Sequence, residues 1–168
     1  MEMEVKDRVY AKGDWVVHLY HGVGQIIGLE KKCLEGKTVA YYKVKTKDST
    51  YWVPVDHVDN IRVRPLATKK EIQEAIHILE REPHQMSDDH TERKSVINEV
   101  KEDGSFLSLA RIVRDLAARQ AQTRLNDSEE RAFHQFTDRL LAEWSACFGI
   151  KYEEARLRLF KILQEIQV

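Results

Sequence analysis

The sequence predicts an α+β protein of two modules, a small five-stranded antiparallel β-barrel followed by an all-α domain of about five helices. Two observations carry this expectation. Residues 13–64 alternate apolar and polar positions between glycine turns, the pattern of short, half-buried strands. Beyond Pro65 the apolar residues recur at helical spacing instead. A small barrel joined to a helical body suggests two modules that each hold a different partner, rather than one catalytic cleft. The boundary is placed at residues 1–65 and 66–168.

Each strand has its punctuation. Trp15-Val16-Val17-His18-Leu19 is entered from the turn Lys12-Gly13-Asp14, and Val23–Lys32 follows the turn at His21-Gly22. Gly24 and Gly28 lie inside that second strand, where glycines mark a bulge or a sharp bend. Glu35-Gly36 is a hairpin turn into Val39–Lys45, and Lys47-Asp48-Ser49 turns again into Thr50–Val55. Pro54 demotes this strand to an edge or ends it. Val58–Val63 is expected to close the barrel, which then has the size of an SH3 or Tudor domain.

The helices have clear edges. Thr68 caps Lys69–Arg81, with a stripe of Ile72, Ala75, Ile76 and Leu79, and Pro83 stops it. Ser87-Asp88-Asp89 caps a second helix to about Lys101, with Val96, Ile97 and Val100 inward, and Asp103-Gly104 ends it. Ser105 caps a third, carried by Leu107, Ala110, Ile112, Val113 and Leu116 to about Gln122. Asn126 to Glu130 opens a fourth, with acidic residues in the first turn, and Phe133, Phe136, Leu140, Leu141 and Trp144 form its stripe. Gly149 ends it, and Lys151–Gln167 is the fifth, through Ala155, Leu159, Ile162, Leu163 and Ile166.

Composition narrows the function classes. The 168 residues are 42% hydrophobic and 33% charged, with a net charge of −1. Residues 1–65 carry 11 Lys and Arg against 9 Asp and Glu, and residues 66–168 carry 16 against 19. Neither half is the basic domain of an autonomous, tight DNA binder, so any DNA contact is expected to be local, weak alone and helped by a partner. The first residues, Met1 to Lys6, are charged and lack the apolar run of a signal peptide, and no stretch approaches the ~20 apolar residues of a membrane span. A soluble cytoplasmic protein without membrane contact is expected. Cys33 and Cys147 fall in different modules with no metal-ligand pattern, and read as ordinary thiols.

Catalytic and metal chemistry find no footing. The seven histidines are read as surface and turn residues, since no pair has the zinc-binding i, i+4 spacing with a supporting carboxylate. Nucleotide-binding loops and the nucleophile elbow are missing. The pairs Asp88/Asp89 and Glu129/Glu130 sit where helix N-termini want negative charge. No enzyme, cofactor or metal is expected. Trp15 is expected to face the core, whereas one of each pair Tyr41/Tyr42 and Tyr51/Trp52 must point outward. An exposed aromatic beside Lys43 and Lys45 on a barrel edge is either a protein-binding surface or half-buried packing.

Four segments resemble the CarD/CdnL family of bacterial transcription regulators. These are Lys12-Gly13-Asp14-x-Val16-Val17, His21-Gly22-Val23-Gly24, the Gly36 hairpin with Tyr41-Tyr42, and Trp52-Val53-Pro54-Val55. The opening module is also similar to the polymerase-interacting module of transcription-repair coupling factors. The helical half continues the resemblance through the Pro83 break, Asp103-Gly104 and Ala110-x-x-Val113-Arg114-Asp115-Leu116.

The resemblance implies a non-enzymatic initiation factor. Its Tudor-like barrel would pair a strand edge with the β1 lobe of the RNA polymerase β-subunit. Its helical domain would touch promoter DNA on the minor-groove side and stabilise the open complex. By position, Lys32 and Trp52 fall where family members place basic residues at the polymerase contact, and Lys43, Lys45, Tyr51 and Pro54 complete the expected surface. His90 falls where family members carry a tryptophan wedge, followed by Arg93 and Lys94 as what is kept of a basic cluster. Asp88, Asp89 and Glu92 add negative charge there. The alternative is a polymerase-binding or scaffold protein with weakened or lost promoter-DNA contact. A monomer, nucleoid-associated through the polymerase, is the simpler expectation.

Overall fold

The computed structural model describes residues 10–56 and 63–166, and the chain divides into two compact units, 1–66 and 67–168. The first is a five-stranded antiparallel sheet, the second five helices, a Tudor-like β module followed by a helical one.

The sheet runs β1 (Trp15–His18), β2 (Gly22–Leu34), β3 (Lys37–Thr46), β4 (Thr50–Pro54) and β5 (Val63–Pro65) in the spatial order β4-β3-β2-β1-β5. Residues 57–62 lie outside the described residues, and with them most of the expected closing strand Val58–Val63. Glu35 and Gly36 both have positive φ, 51° and 77°. That is the two-residue turn whose twist suits a hairpin, so β2 and β3 pair from Leu34↔Lys37 back to Gly24↔Thr46. The register shifts once, between Ile26 and Gly28. Gly24 is a glycine because the strand passes close to β3: a Cβ there would meet Val44 Cγ1 at 2.7 Å.

Val16, Ile26, Tyr42, Val44, Val53 and Val63 form the core of this unit with Tyr10. The phase of β1 differs from expectation. Trp15 is 41% exposed, while Val16 and His18 are buried. A polar residue can take the inward position because His18 Nδ1 accepts from the amides of Tyr20 (3.0 Å) and His21 (3.2 Å). His18 is therefore a buried turn-former, not a surface histidine.

The second unit contains α1 (Lys69–Glu80), α2 (His90–Asp103), α3 (Phe106–Gln122), α4 (Asp127–Phe148) and α5 (Tyr152–Ile166). Thr68, Asp89, Ser105 and Asn126 cap the first four, and Gly104 and Gly149 end α2 and α4 in the left-handed conformation. α3 is the central element, burying Leu109, Ala110, Ile112, Val113, Leu116 and Ala117 against α1 and α4. Two stripes are shifted from the sequence reading. Ile78 is buried on α1 and Ile76 only partly, and on α2 Ile97 is buried while Val96 is 44% exposed. α2 has few apolar residues, so its single buried isoleucine and an arginine set its orientation.

Candidate functional site

On the β unit, strand alternation gathers most of the expected surface residues on one face. Lys43 lies opposite Trp52, Lys45 opposite Thr50 and Tyr41 opposite Pro54, while across the hairpin Glu30 lies opposite Tyr41 and Lys32 opposite Val39. Positions two apart share a face, so Glu30, Lys32, Tyr41, Lys43, Lys45, Trp52 and Pro54 project together from β2, β3 and β4.

The centre of this face is Trp52, 39% exposed. Lys32 Nζ lies 4.1 Å from its ring centroid and Lys43 Nζ 5.7 Å, within cation–π range. The indole N–H donates to Glu30 Oε2 at 2.8 Å, and Glu30 Oε1 is 3.3 Å from Lys43 Nζ. The hydrogen bonds from Trp52 and Lys43, with the Lys43 and Lys32 charges, hold the Glu30 carboxyl below its ordinary range. The indole is thus held by its edge and flanked by two ammonium groups, an oriented aromatic anchor rather than a loose surface side chain. Among the described residues β4 pairs only with β3, so the strand carrying Trp52 keeps an open edge, and Pro54 sits where a missing N–H costs no ladder bond.

Tyr51 is on the other face. Its ring stacks on His21 at 4.7 Å and meets His18 edge-on at 5.0 Å. Its hydroxyl is buried without a hydrogen-bond partner among the described residues. Burial, with Tyr10 nearby, pushes its pKa up to about 12. Tyr51 supports the strand from the core side and does not join Trp52 on the outer face. Glu30, absent from the sequence-based set, is part of the cluster. The one-residue bulge at Ile27 decides which face it takes, and no composition signal marks that position.

On the helical unit, His90 opens α2 and Lys94 follows one turn later; both are exposed and lie on the same helix face. Arg93 departs from its expected place. It is buried, with Nε on Glu129 Oε1 at 2.5 Å and Nη1 donating to the carbonyls of Ser87 (3.0 Å) and Asp88 (2.8 Å). A guanidinium spent this way is no longer a surface cation. The acidic neighbours are also engaged: Asp89 caps α2 through the Thr91 amide, and the Ser87 hydroxyl donates to Glu92. Arg114 and Asp115 pin the preceding loop from α3, with Arg114 Nη1 on Ile78 O (3.1 Å) and Asp115 Oδ1 accepting from the His84 amide (2.9 Å). Among the described residues no group of three or more His, Cys, Asp or Glu is arranged to hold a metal.

Two family models match the chain, one in each unit: a CarD-like/TRCF RID domain over residues 10–66 and a CarD C-terminal domain over residues 74–160. The chain belongs to the CarD family. CarD-family proteins are transcription-associated and interact with RNA polymerase. A relative in Bacillus subtilis (strain 168), YdeB, carries the name of a transcription factor; it is 23% identical over 146 residues, which span 86% of this chain and 95% of the relative. The CarD motif Val113-Arg114-Asp115-Leu116 has a structural reading here, since Val113 and Leu116 are fully buried while Arg114 and Asp115 hold the end of α1 and the loop after it. No helix among the described residues is long and apolar enough to cross a membrane.

Proposed function

We propose that this CarD-family protein is a non-enzymatic regulator of transcription initiation. Its β unit, residues 1–65, docks on the β1 lobe of the RNA polymerase β-subunit, and its helical unit, residues 66–168, reaches promoter DNA and stabilises the open complex. The observation that supports the docking reading is the Trp52 face. An oriented indole, two lysines and an open β4 edge combine backbone pairing, which gives affinity, with an aromatic anchor, which gives specificity. Lys32, Lys43, Lys45 and Pro54 surround the anchor, and Tyr51 supports it from behind. On the DNA side the reading rests on His90 and Lys94, with Arg93 holding the α2 start in place. The protein works as a monomer in the cytoplasm, at the nucleoid-bound polymerase, and needs no cofactor. The test is a pull-down of the full chain on the purified β1 lobe: wild type is retained and Trp52→Ala with Lys32→Ala is not. Equal retention of the double variant defeats the docking assignment.

A second reading, a polymerase-bound scaffold with weakened DNA contact, is favoured by one observation: the burial of Arg93 leaves a thin basic patch beside Asp88 and Asp89. Open-complex lifetime with His90→Ala and Lys94→Ala separates the two. A shortened lifetime supports DNA contact, and an unchanged one supports the scaffold.

A further inference from the structure

One residue joins the two units. β5 ends at Pro65, which lies opposite Val16 in the sheet. Ala67 is 3% exposed and already part of the helical core. Leu66 alone lies between them. The flanking backbone is held on both sides. The Pro65 ring fixes its own φ and favours an extended Arg64 before it. Thr68 is extended, with its hydroxyl accepting from the Glu71 amide at 3.2 Å.

The helical side of this joint is gripped by a residue that the proposed function does not use. The Ala67 amide donates to Glu143 Oε1 at 2.7 Å, across 76 positions of the chain. Glu143 lies on α4 among Leu140, Leu141 and Trp144, and at 1% exposure it is as hidden as they are. A leucine would pack there at no electrostatic cost, whereas a buried carboxylate is costly unless it is hydrogen-bonded. What the carboxylate adds is a charge-assisted bond to a backbone amide, shorter and stronger than a neutral one. That amide stands at the N-terminus of α1, where the helix dipole favours negative charge. Arg93 and Arg114 tie down the loop before α2 and the end of α1 with the same kind of bond. Glu143 does so for the entry to α1.

With Ala67 and Thr68 held and Pro65 locked at φ, the soft torsions left are ψ of Pro65 and φ and ψ of Leu66. We propose that Glu143 is a positioning residue for promoter contact: its hold on Ala67 confines the joint to Leu66, so that a β unit held on the polymerase limits where the α2 face can reach. The consequence at the promoter rests on the docking reading, and the joint itself does not.

The test has two readouts. Backbone 15N relaxation of the labelled full chain reports the joint. In wild type the amides of Leu66, Ala67 and Thr68 should be as ordered as those of α1. Glu143→Leu, which keeps the packing and removes the acceptor, should lower the order at these three amides, and Glu143→Gln, which keeps a neutral acceptor, should lower it less. Open-complex lifetime reports the consequence. Glu143→Leu and an insertion of two glycines after Leu66 should each shorten it about fivefold or more, the lower end of couplings between two sites, with retention on the purified β1 lobe unchanged. The insertion leaves Glu143 and both cores untouched, so it carries the test should Glu143→Leu unfold. The proposal is overturned if Glu143→Leu lowers the urea midpoint yet leaves the three amides as ordered as in wild type, which is what a residue that only packs would do. It is overturned as well if the glycine insertion leaves the lifetime unchanged. A wild-type chain that the lobe does not retain defeats the docking reading instead and takes the promoter consequence with it, while the relaxation result still decides the joint.

Discussion

Arg93 Nε lies 2.5 Å from Glu129 Oε1, and both side chains are more than nine-tenths hidden from solvent. The same guanidinium takes the carbonyls of Ser87 and Asp88, and the same carboxylate closes the capping box of α4 through the Asn126 amide. One ion pair therefore fixes three things at once: the loop before α2, the start of α2 and the start of α4. α2 needs it, because Ile97 and Arg93 are the buried residues among its fourteen.

Arg93→Ala should accordingly destabilise the helical unit by about 3–5 kcal/mol, the range for a buried pair broken on one side. Lys94→Ala, exposed and without an ion pair among the described residues, should stay within about 0.5 kcal/mol. Urea denaturation of the two variants, followed by helical circular dichroism, checks the contrast. Equal and small effects would mean that the pair does not hold α2.

The same pair sets an acid limit. Burial pushes the Glu129 carboxyl up, but the Arg93 hydrogen bond, the Asn126 amide and the Arg93 and Arg119 charges outweigh it and leave the group below its ordinary value of 4.5. A lowered folded-state value means the unfolded chain binds the proton more readily. The stabilisation is then complete above about pH 4.5 and is lost as the pH falls through the lower folded-state value. Asp103, held down by the Ser105 and Ser108 hydroxyls, titrates in the same direction. Stability measured from pH 6 to pH 3 should fall in that window, and Glu129→Gln should flatten the fall.

On the β unit, Trp52→Ala should weaken polymerase β1-lobe binding about tenfold or more, as truncation of an aromatic anchor does. The sheet should stay folded at a cost of about 1–2 kcal/mol for the apolar area that the partly covered indole hides against its neighbours. Glu30→Gln should cost less than Trp52→Ala, because it keeps a hydrogen-bond acceptor for the indole but loses the Lys43 pair. Titration by biolayer interferometry on the immobilised lobe orders the variants. A Glu30→Gln loss larger than that of Trp52→Ala would mean that the carboxylate itself, not the ring, meets the polymerase.

How much of this was readable in advance divides along physical lines. Turn and cap chemistry is local, so the Glu35-Gly36 hairpin, the Thr68, Ser105 and Asn126 caps and the Gly104 and Gly149 ends follow from residue type alone. The period of two requires one of Tyr51 and Trp52 to point outward without saying which, and the burial of Val53 and the exposure of Trp52 settle it. The misplacements come from side-chain hydrogen bonding that hydrophobicity does not report. Trp15 is the natural core residue of β1 by hydrophobicity, yet the amides of Tyr20 and His21, in the turn that follows, let His18 take the inward face. Arg93 read as a surface cation because its partner Glu129 lies thirty-six residues away and looked fully used as a helix cap.

The DNA face offers the sharpest separation of the two readings of the helical unit. His90 stands at the first position of α2, where the CarD resemblance places a tryptophan wedge, and Lys94 is its neighbour one turn on. If the face meets DNA, Lys94→Ala removes about one phosphate contact, so the salt dependence of promoter binding by the polymerase complex should fall by about one in log–log slope, with sequence preference unchanged. His90→Trp acts on a different quantity. An indole at the same site can insert between base steps where an imidazole is too small, so the open complex should live longer while the salt slope stays the same. The substitution touches neither Arg93 nor the Asp89 cap, so α2 itself should hold. A lifetime unaltered by His90→Trp together with a slope unaltered by Lys94→Ala would place this face away from DNA and leave the scaffold reading in its place.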